Sequence, residues 1–99
     1  MAATPEKKVK DKVKKFLDSI GAYHFSPMTG GFGRSGVPDI IVCLKSKFIA
    51  IECKANGGKT TMLQEKNIDA IRLNKGIAMV VDENNIELMK EVINDINNH

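Results

Sequence analysis

Two consecutive runs of strand-forming residues constrain the fold of this chain more than any other feature. The first covers residues 39–45 and the second 47–54; both are rich in Ile, Val, Phe and Cys, and only Ser46 separates them. Such runs on either side of a short turn are typical of an antiparallel β-hairpin. With a two-residue turn, counting back along both strands puts Asp39 directly opposite Glu52. The sequence therefore predicts a hairpin that carries two facing carboxylates.

Helical periodicity surrounds the hairpin. Residues 5–20 predict a first helix, with Thr4 as its cap and Pro5 at its first position. Residues 23–27 predict a short strand, and residues 28–36, with four glycines, predict a flexible loop. A second helix is expected from Thr60 or Thr61 to about residue 74, followed by a strand over 77–81. A third helix covers 86–97, with an apolar stripe of Leu88, Met89, Val92, Ile93 and Ile96.

The resulting order, αβββαβα, defines the expected fold class. The third and fourth strands are joined through a helix, so a right-handed crossover should make them parallel. We therefore expect an α/β fold, with a mixed four-stranded sheet flanked by helices and an additional C-terminal helix. Ninety-nine residues suit a single domain covering 1–99. The pattern leaves open whether the last helix covers the sheet or packs on a second subunit.

The composition and charge of the chain indicate its cellular environment. No apolar run approaches the length of a membrane span, and no signal-peptide stretch follows Met1, so we expect a cytoplasmic protein without a membrane partner. The net charge is only +3, but six lysines crowd into residues 7–15. Such a cluster can bind phosphates, although taken alone it indicates a solvated helix face. Cys43 and Cys53 are expected to be buried, reduced side chains.

The hairpin supplies the candidate chemistry. Glu52 and Lys54 point to the same side of their strand, and Asp39 should face Glu52 with Cβ atoms about 5 Å apart. Two carboxylates that close repel each other unless a proton or a cation lies between them. Oxygen ligands select a hard cation such as Mg²⁺, which activates water and polarises phosphate. Lys54 could then orient that water or stabilise developing negative charge.

Two polar residues lie on apolar helix faces. Glu6 shares a face with Val9 and Val13 of the first helix, and Gln64 shares one with Ile68 of the second. Both could converge on the hairpin carboxylates. Each also has a purely structural explanation, because an acid is favoured in any first helical turn and a glutamine can cap the backbone.

A glycine motif is a false lead. Gly31, Gly33 and Gly36 match the spacing of a dinucleotide-binding loop, which functions between a strand and the N-terminus of a helix. Here the glycines precede Pro38 and a strand, so we expect no nucleotide cofactor.

Taken together, these residues resemble a known family. Gly36-Val37-Pro38-Asp39, then Ile51-Glu52-Cys53-Lys54, then Gln64 in the following helix are similar to the VRR-NUC group of PD-(D/E)xK nucleases, above all to its small stand-alone phage-type members. The likeness extends from Glu6 to about Val81. It implies a restriction-endonuclease-like core of order αβββαβ.

The resemblance also implies a site and partners. Asp39, Glu52 and the backbone carbonyl of Cys53 would ligate Mg²⁺ or Mn²⁺, Lys54 would assist the attacking water, and Glu6 and Gln64 would complete the catalytic set. Stand-alone members resemble Holliday-junction resolvases, which act as homodimers on branched DNA, in a bacterial host if phage-encoded. Candidate phosphate contacts are the basic residues Lys7, Lys10, Lys14, Arg34 and Lys59.

Other functions remain open at this point. A nuclease of the same fold could act on nicked, flapped or linear duplex DNA, and the sequence does not separate these substrates. A non-catalytic DNA-binding module has no need for two carboxylates near a phosphate. A protein-interaction domain would leave Glu6 and Gln64 on apolar faces without an explanation.

Overall fold

The computed structural model describes residues 3–28 and 33–99. It contains the expected order of elements: α1 (Pro5–Ser19), β1 (Tyr23–Phe25), β2 (Ile40–Leu44), β3 (Lys47–Cys53), α2 (Met62–Leu73), β4 (Ile77–Val81) and α3 (Ile86–Asn97). Thr4 caps α1, with its Oγ1 accepting from the backbone N–H of Lys7 at 3.1 Å, and Pro5 is at the start of the helix. Of the predicted glycine loop, residues 29–32, and with them Gly31 of the false motif, lie outside the described residues.

The hairpin has the predicted register. Ile40 pairs with Ile51 and Leu44 with Lys47, so the turn consists of two residues. Lys45 and Ser46 have φ angles of 50° and 63°. Positive φ at both central residues is the geometry of a type I′ turn, whose twist matches that of the flanking strands. Asp39, just before β2, is thereby brought opposite Glu52 near the end of β3.

The strands form one mixed sheet in the order β1-β2-β3-β4. β1, β2 and β3 are antiparallel neighbours, and β4 pairs with β3 in parallel, as the intervening helix predicted. One face of the sheet carries the main core, in which Ile40, Ile49 and Ile51 pack with residues of α1 and α3. The other face carries α2, whose Ile71 lies near Phe48 around Gly76. Helices therefore flank both faces.

The last helix covers the sheet. Met89 and Ile93 of α3 are buried in the main core, so this helix covers the sheet, which is one of the two roles left open by the sequence. The predicted apolar stripe was too broad, however: Leu88 is 61% exposed and Val92 39% exposed. Both lie beside Val80 on the outer edge strand, β4, where they line a shallow depression instead of the core.

One cysteine was also predicted wrongly. Cys53 is buried in the core, but Cys43 is exposed. Residues alternate between faces along β2, and Cys43 shares its face with Ile41, opposite the core positions Ile40, Val42 and Leu44. α2 packs mainly on β4 at the far side of that face, so it does not bury the β1 and β2 portion. Within the described ranges, no helix is long and apolar enough to cross a membrane.

Candidate metal centre

Three carboxylates from separate elements meet at one end of the sheet. Glu6 comes from the first turn of α1, Asp39 directly precedes β2, and Glu52 is the penultimate residue of β3. One carboxylate oxygen from each lies within 4.8 Å of the other two. Three negative charges at this separation repel strongly unless a cation or protons neutralise them. The arrangement thus has the donor atoms and the excess charge of a divalent-metal site.

Asp39 is held by contacts to both carboxylate oxygens. The backbone N–H of Cys53 donates to Oδ2 at 2.8 Å, which ties Asp39 to β3. The Lys10 ammonium lies 3.5 Å from Oδ1. Lys10 was predicted only as a phosphate contact. The spacing of Lys10 in the sequence could have placed it at the site, because it lies one helical turn after Glu6 and therefore on the same side of α1.

Glu52 is the most buried member of the cluster, with only 1% of the residue exposed. Its Oε2 accepts from Gln64 Nε2 at 3.0 Å and lies 3.5 Å from Lys54 Nζ. Its Oε1 is buried without a hydrogen-bond partner among the described residues. Burial, together with the negative charge of Asp39, raises the pKa of Glu52 from 4.5 to about 7 despite the nearby Lys54. A buried acceptor without a donor fits a site that receives a cation.

Gln64 fulfils both roles that the sequence allowed. Its Oε1 accepts from the backbone N–H of Thr61 at 2.8 Å, while its own N–H donates to Thr61 Oγ1 at 3.2 Å. These two bonds form the capping box of α2. The remaining amide group, Nε2, then has a fixed direction and donates to Glu52. The helix cap therefore orients a hydrogen-bond donor toward the buried carboxylate.

The side chain of Asn67 attaches the segment before Asp39 to α2, and the sequence did not predict this contact. Asn67 is buried, and its Nδ2 donates to the carbonyls of Ser35 at 3.1 Å and Leu63 at 2.9 Å. Gly36 has φ of 74°, and a Cβ there would lie 2.7 Å from Leu63 Cγ and 3.0 Å from its backbone. Only glycine fits this approach. Nothing in the sequence pattern of α2 distinguished Asn67 from the other polar residues of this helix.

Cys53 takes part through its backbone. Its N–H holds Asp39, whereas its thiol is buried on the core side of β3. Burial and the nearby charge of Asp39 raise the pKa of the thiol to about 12, so it stays protonated and is a poor metal ligand. The carbonyl of Cys53, expected as a ligand from the family resemblance, remains a prediction.

The predicted phosphate contacts lie in three separate regions of the structure. Lys7, Lys10 and Lys14 line an open groove of about 700 Å³ that also contains Glu6 and Asp11. Lys10 connects this groove with Asp39. Arg34 instead lines a second groove on the α2 face of the sheet. Lys59 is exposed in the loop before α2. Lys7 forms a surface ion pair with Asp11, and such pairs contribute little to stability.

Comparison with known proteins supports the fold. The chain is similar to the solved structure of a VRR_NUC domain protein, with a TM-score of 0.72, 17% sequence identity, and coverage of 97% of this chain and 90% of that one. The match extends over nearly the whole of both chains, so the expected VRR-NUC fold is confirmed. No protein-family model and no curated protein matches the sequence.

Proposed function

We propose that this chain is a divalent-metal-dependent nuclease of the VRR-NUC group, acting as one domain over residues 1–99 in the cytoplasm. The observation that carries the proposal is the meeting of Glu6, Asp39 and Glu52 within 4.8 Å, on the fold of a VRR_NUC domain protein. Lys54 lies beside these carboxylates, as the PD-(D/E)xK pattern requires. Fold alone does not specify activity, so the site supplies the argument.

The donor set suits Mg²⁺ or Mn²⁺. All three side chains offer carboxylate oxygens, which hard divalent ions prefer, and one of them, Glu52 Oε1, has no hydrogen-bond partner within residues 3–28 and 33–99. Asp39, Glu52 and the Cys53 carbonyl would hold the ion, and Glu6 would complete the site. A divalent ion bound there would polarise a phosphodiester oxygen and make a coordinated water more acidic.

The protein's own residues would position and stabilise the reaction. The ammonium of Lys54 is 3.5 Å from Glu52 and can stabilise negative charge that develops on the phosphate or the attacking water. Gln64 fixes the rotamer of Glu52, and the Cys53 N–H fixes that of Asp39. Lys10 neutralises Asp39 in the free protein and lies on the wall of the basic groove, where it can transfer its contact to a substrate phosphate.

The substrate we propose is branched DNA, cut by a homodimer in the manner of Holliday-junction resolvases. This part rests on the resemblance of the PD, ExK and glutamine motifs to stand-alone phage-type members. The groove lined by Lys7, Lys10 and Lys14 supports a polyanionic substrate, because these lysines outnumber its acids, Glu6 and Asp11. Nicked, flapped and linear duplex DNA are the alternative substrates of the same chemistry.

A cleavage assay tests the proposal. Labelled four-way junction, flap and linear duplex are incubated with the protein in Mg²⁺, Mn²⁺ or EDTA, beside Asp39→Asn and the surface control Glu91→Gln. We expect metal-dependent cutting that EDTA and Asp39→Asn abolish and Glu91→Gln leaves intact. Equal cutting of all three DNAs would keep the nuclease and reject the branch preference. Tight binding without cutting would favour the non-catalytic DNA-binding module.

A further inference from the structure

Two segments of the chain build the lysine-lined groove. Most of its lining belongs to α1 and to Thr4 before it, and the remainder is Ala55 and Asn56, from the turn that follows Lys54. Asn56 is exposed and contributes the polar side chain of this turn to the groove. A DNA backbone that enters the groove to contact the lysines therefore lies within reach of the turn.

The turn after Lys54 has a restricted conformation. The N–H of Gly58 donates to the carbonyl of Ala55 at 2.9 Å, and the two central residues, Asn56 and Gly57, have φ of 54° and 76°. Positive φ at both positions is type I′ geometry, for which Asn-Gly is a preferred pair. The turn alone thus explains why asparagine occurs here, so a binding role needs a separate argument.

Glu83 supplies that argument, because it fixes the turn from a distant part of the chain. Its Oε1 accepts from the backbone N–H of Asn56 at 2.9 Å. The N–H of Lys54 donates to the carbonyl of Val81 at 2.9 Å, so both bonds join residues 27 positions apart in sequence. In a regular parallel ladder the next acceptor would be the backbone carbonyl of Glu83. Its carboxylate takes that place and continues the ladder past the end of β3.

The loop that carries Glu83 is itself held by hydrogen bonds. Asp82 Oδ1 accepts from the backbone N–H groups of Asn84 at 2.8 Å and Asn85 at 3.1 Å. The side chain of Asn85 accepts from the N–H of Asp82 at 2.8 Å and donates to the carbonyl of Val80 at 2.9 Å. Glu83 therefore projects from a fixed loop, and a turn that is ordered in advance loses less entropy when it binds a ligand.

The bond to Glu83 leaves a donor group available. It uses the backbone N–H of Asn56, and the side-chain amide, which has two donor hydrogens, takes no part in it. Asparagine side chains are among the common donors to DNA phosphate oxygens, beside arginine and lysine. The same bond also engages a carboxylate that would otherwise repel a polyanion near the groove.

We propose that the amide of Asn56 contacts a phosphate of DNA bound in the lysine-lined groove, and that Glu83 is the residue that positions it. The proposal rests on the nuclease function and adds a neutral, directional contact to the charged contacts of the lysines. Because an uncharged side chain releases no counterions, this contact contributes affinity without salt dependence.

Binding measurements in EDTA separate this contact from cleavage. Fluorescence anisotropy gives the affinity of the whole protein for a labelled four-way junction. Asn56→Gly accepts the same φ and lacks the amide, so we expect it to weaken binding about three- to tenfold without changing the salt dependence. Lys14→Ala should instead reduce the salt dependence by about one phosphate contact. Asn56→Asp should weaken binding more than about tenfold, and far more than the exposed control Asn94→Asp, which makes the same charge change on α3.

The positioning role of Glu83 is tested by the sign of its effect. Glu83→Ala removes a negative charge, which by electrostatics alone would strengthen DNA binding. We expect it instead to weaken binding about two- to fivefold, because the turn is no longer fixed. Glu83→Gln keeps the acceptor oxygen and should bind at least as tightly as the wild type. In the Asn56→Gly background, Glu83→Ala should cause no further loss, since Glu83 acts through Asn56.

Several results would overturn the proposal. Unchanged junction affinity in Asn56→Gly, with folding checked by circular dichroism, would exclude the contact. Equal weakening by Asn56→Asp and Asn94→Asp would reduce the effect to net charge. An equal loss from Glu83→Ala in both backgrounds would leave Glu83 a purely structural role. A wild-type protein that binds no DNA would overturn the nuclease function as well, whereas any of the first three results beside wild-type binding would overturn this proposal alone.

Discussion

Glu52 should destabilise the metal-free protein when it is ionised, and Glu52→Gln should relieve this cost. An unfolded glutamate loses its proton near pH 4.5, whereas burial and Asp39 keep Glu52 protonated up to about pH 7 in the folded state. Between these values the folded state binds more protons than the unfolded state, so stability falls as pH rises. Below about 4.5 the effect is absent, and above about 7 it is complete.

The size of the effect follows from the two pKa values. A change from 4.5 to about 7 corresponds to about 3 kcal/mol, at about 1.4 kcal/mol per pKa unit. The amide of glutamine also needs hydrogen-bond partners, which reduces the gain. We therefore expect Glu52→Gln to raise the free energy of unfolding at pH 8 in EDTA by about 1 to 3 kcal/mol, and the melting temperature by at least about 4 °C.

The assay is urea unfolding of the wild type, Glu52→Gln and the exposed control Glu91→Gln from pH 4 to 8.5 in EDTA. The wild type and the control should lose stability across pH 4.5 to 7, and Glu52→Gln should show a flatter profile. Saturating Mg²⁺ should stabilise the wild type above pH 7, by about 2.7 kcal/mol at a hundredfold excess over the dissociation constant, and should affect Glu52→Gln less. A Glu52→Gln protein that is less stable than the wild type at pH 8 in EDTA would refute the reasoning.

Three further changes test the supports of the site. Gly36→Ala should destabilise the fold by about 1 to 3 kcal/mol more than Gly57→Ala in chemical unfolding, because both glycines have positive φ but only Gly36 contacts Leu63; equal losses would contradict the close approach. Asn67→Ala should lower kcat of DNA cleavage more than it raises KM, through misplacement of the metal ligands, and a change in KM alone would contradict this. Lys10→Met should tighten Mn²⁺ binding about two- to tenfold in titration calorimetry, because it removes a competing cation; weaker binding would show that Lys10 supports the site instead.

The hairpin and its carboxylates could be predicted because local rules determine them. The strand runs fix the length of the turn, and a two-residue turn fixes the register, so the pairing of Asp39 with Glu52 followed from counting. The helix caps at Thr4 and Thr61 were equally local. Gln64 was visible as a polar residue on an apolar helix face.

The missed features depend on packing between distant segments. Asn67 donates a hydrogen bond to the carbonyl of Ser35, 32 residues away in sequence, and no local periodicity predicts such a contact. Cys43 was assigned to the interior because its run was apolar, but whether a strand face is covered depends on where α2 lies across the sheet. The same circumstance leaves Phe48 half-exposed on that face.

The most direct test of the central claim is to locate a bound ion. Crystals grown with Mn²⁺ would be measured at a wavelength where manganese scatters anomalously. We predict an anomalous peak within coordination distance of Asp39 and Glu52, on the side that Glu6 faces, and its loss in crystals of Asp39→Asn. No peak at this position at saturating Mn²⁺, or an unchanged peak in Asp39→Asn, would contradict the assignment of these carboxylates as a metal centre.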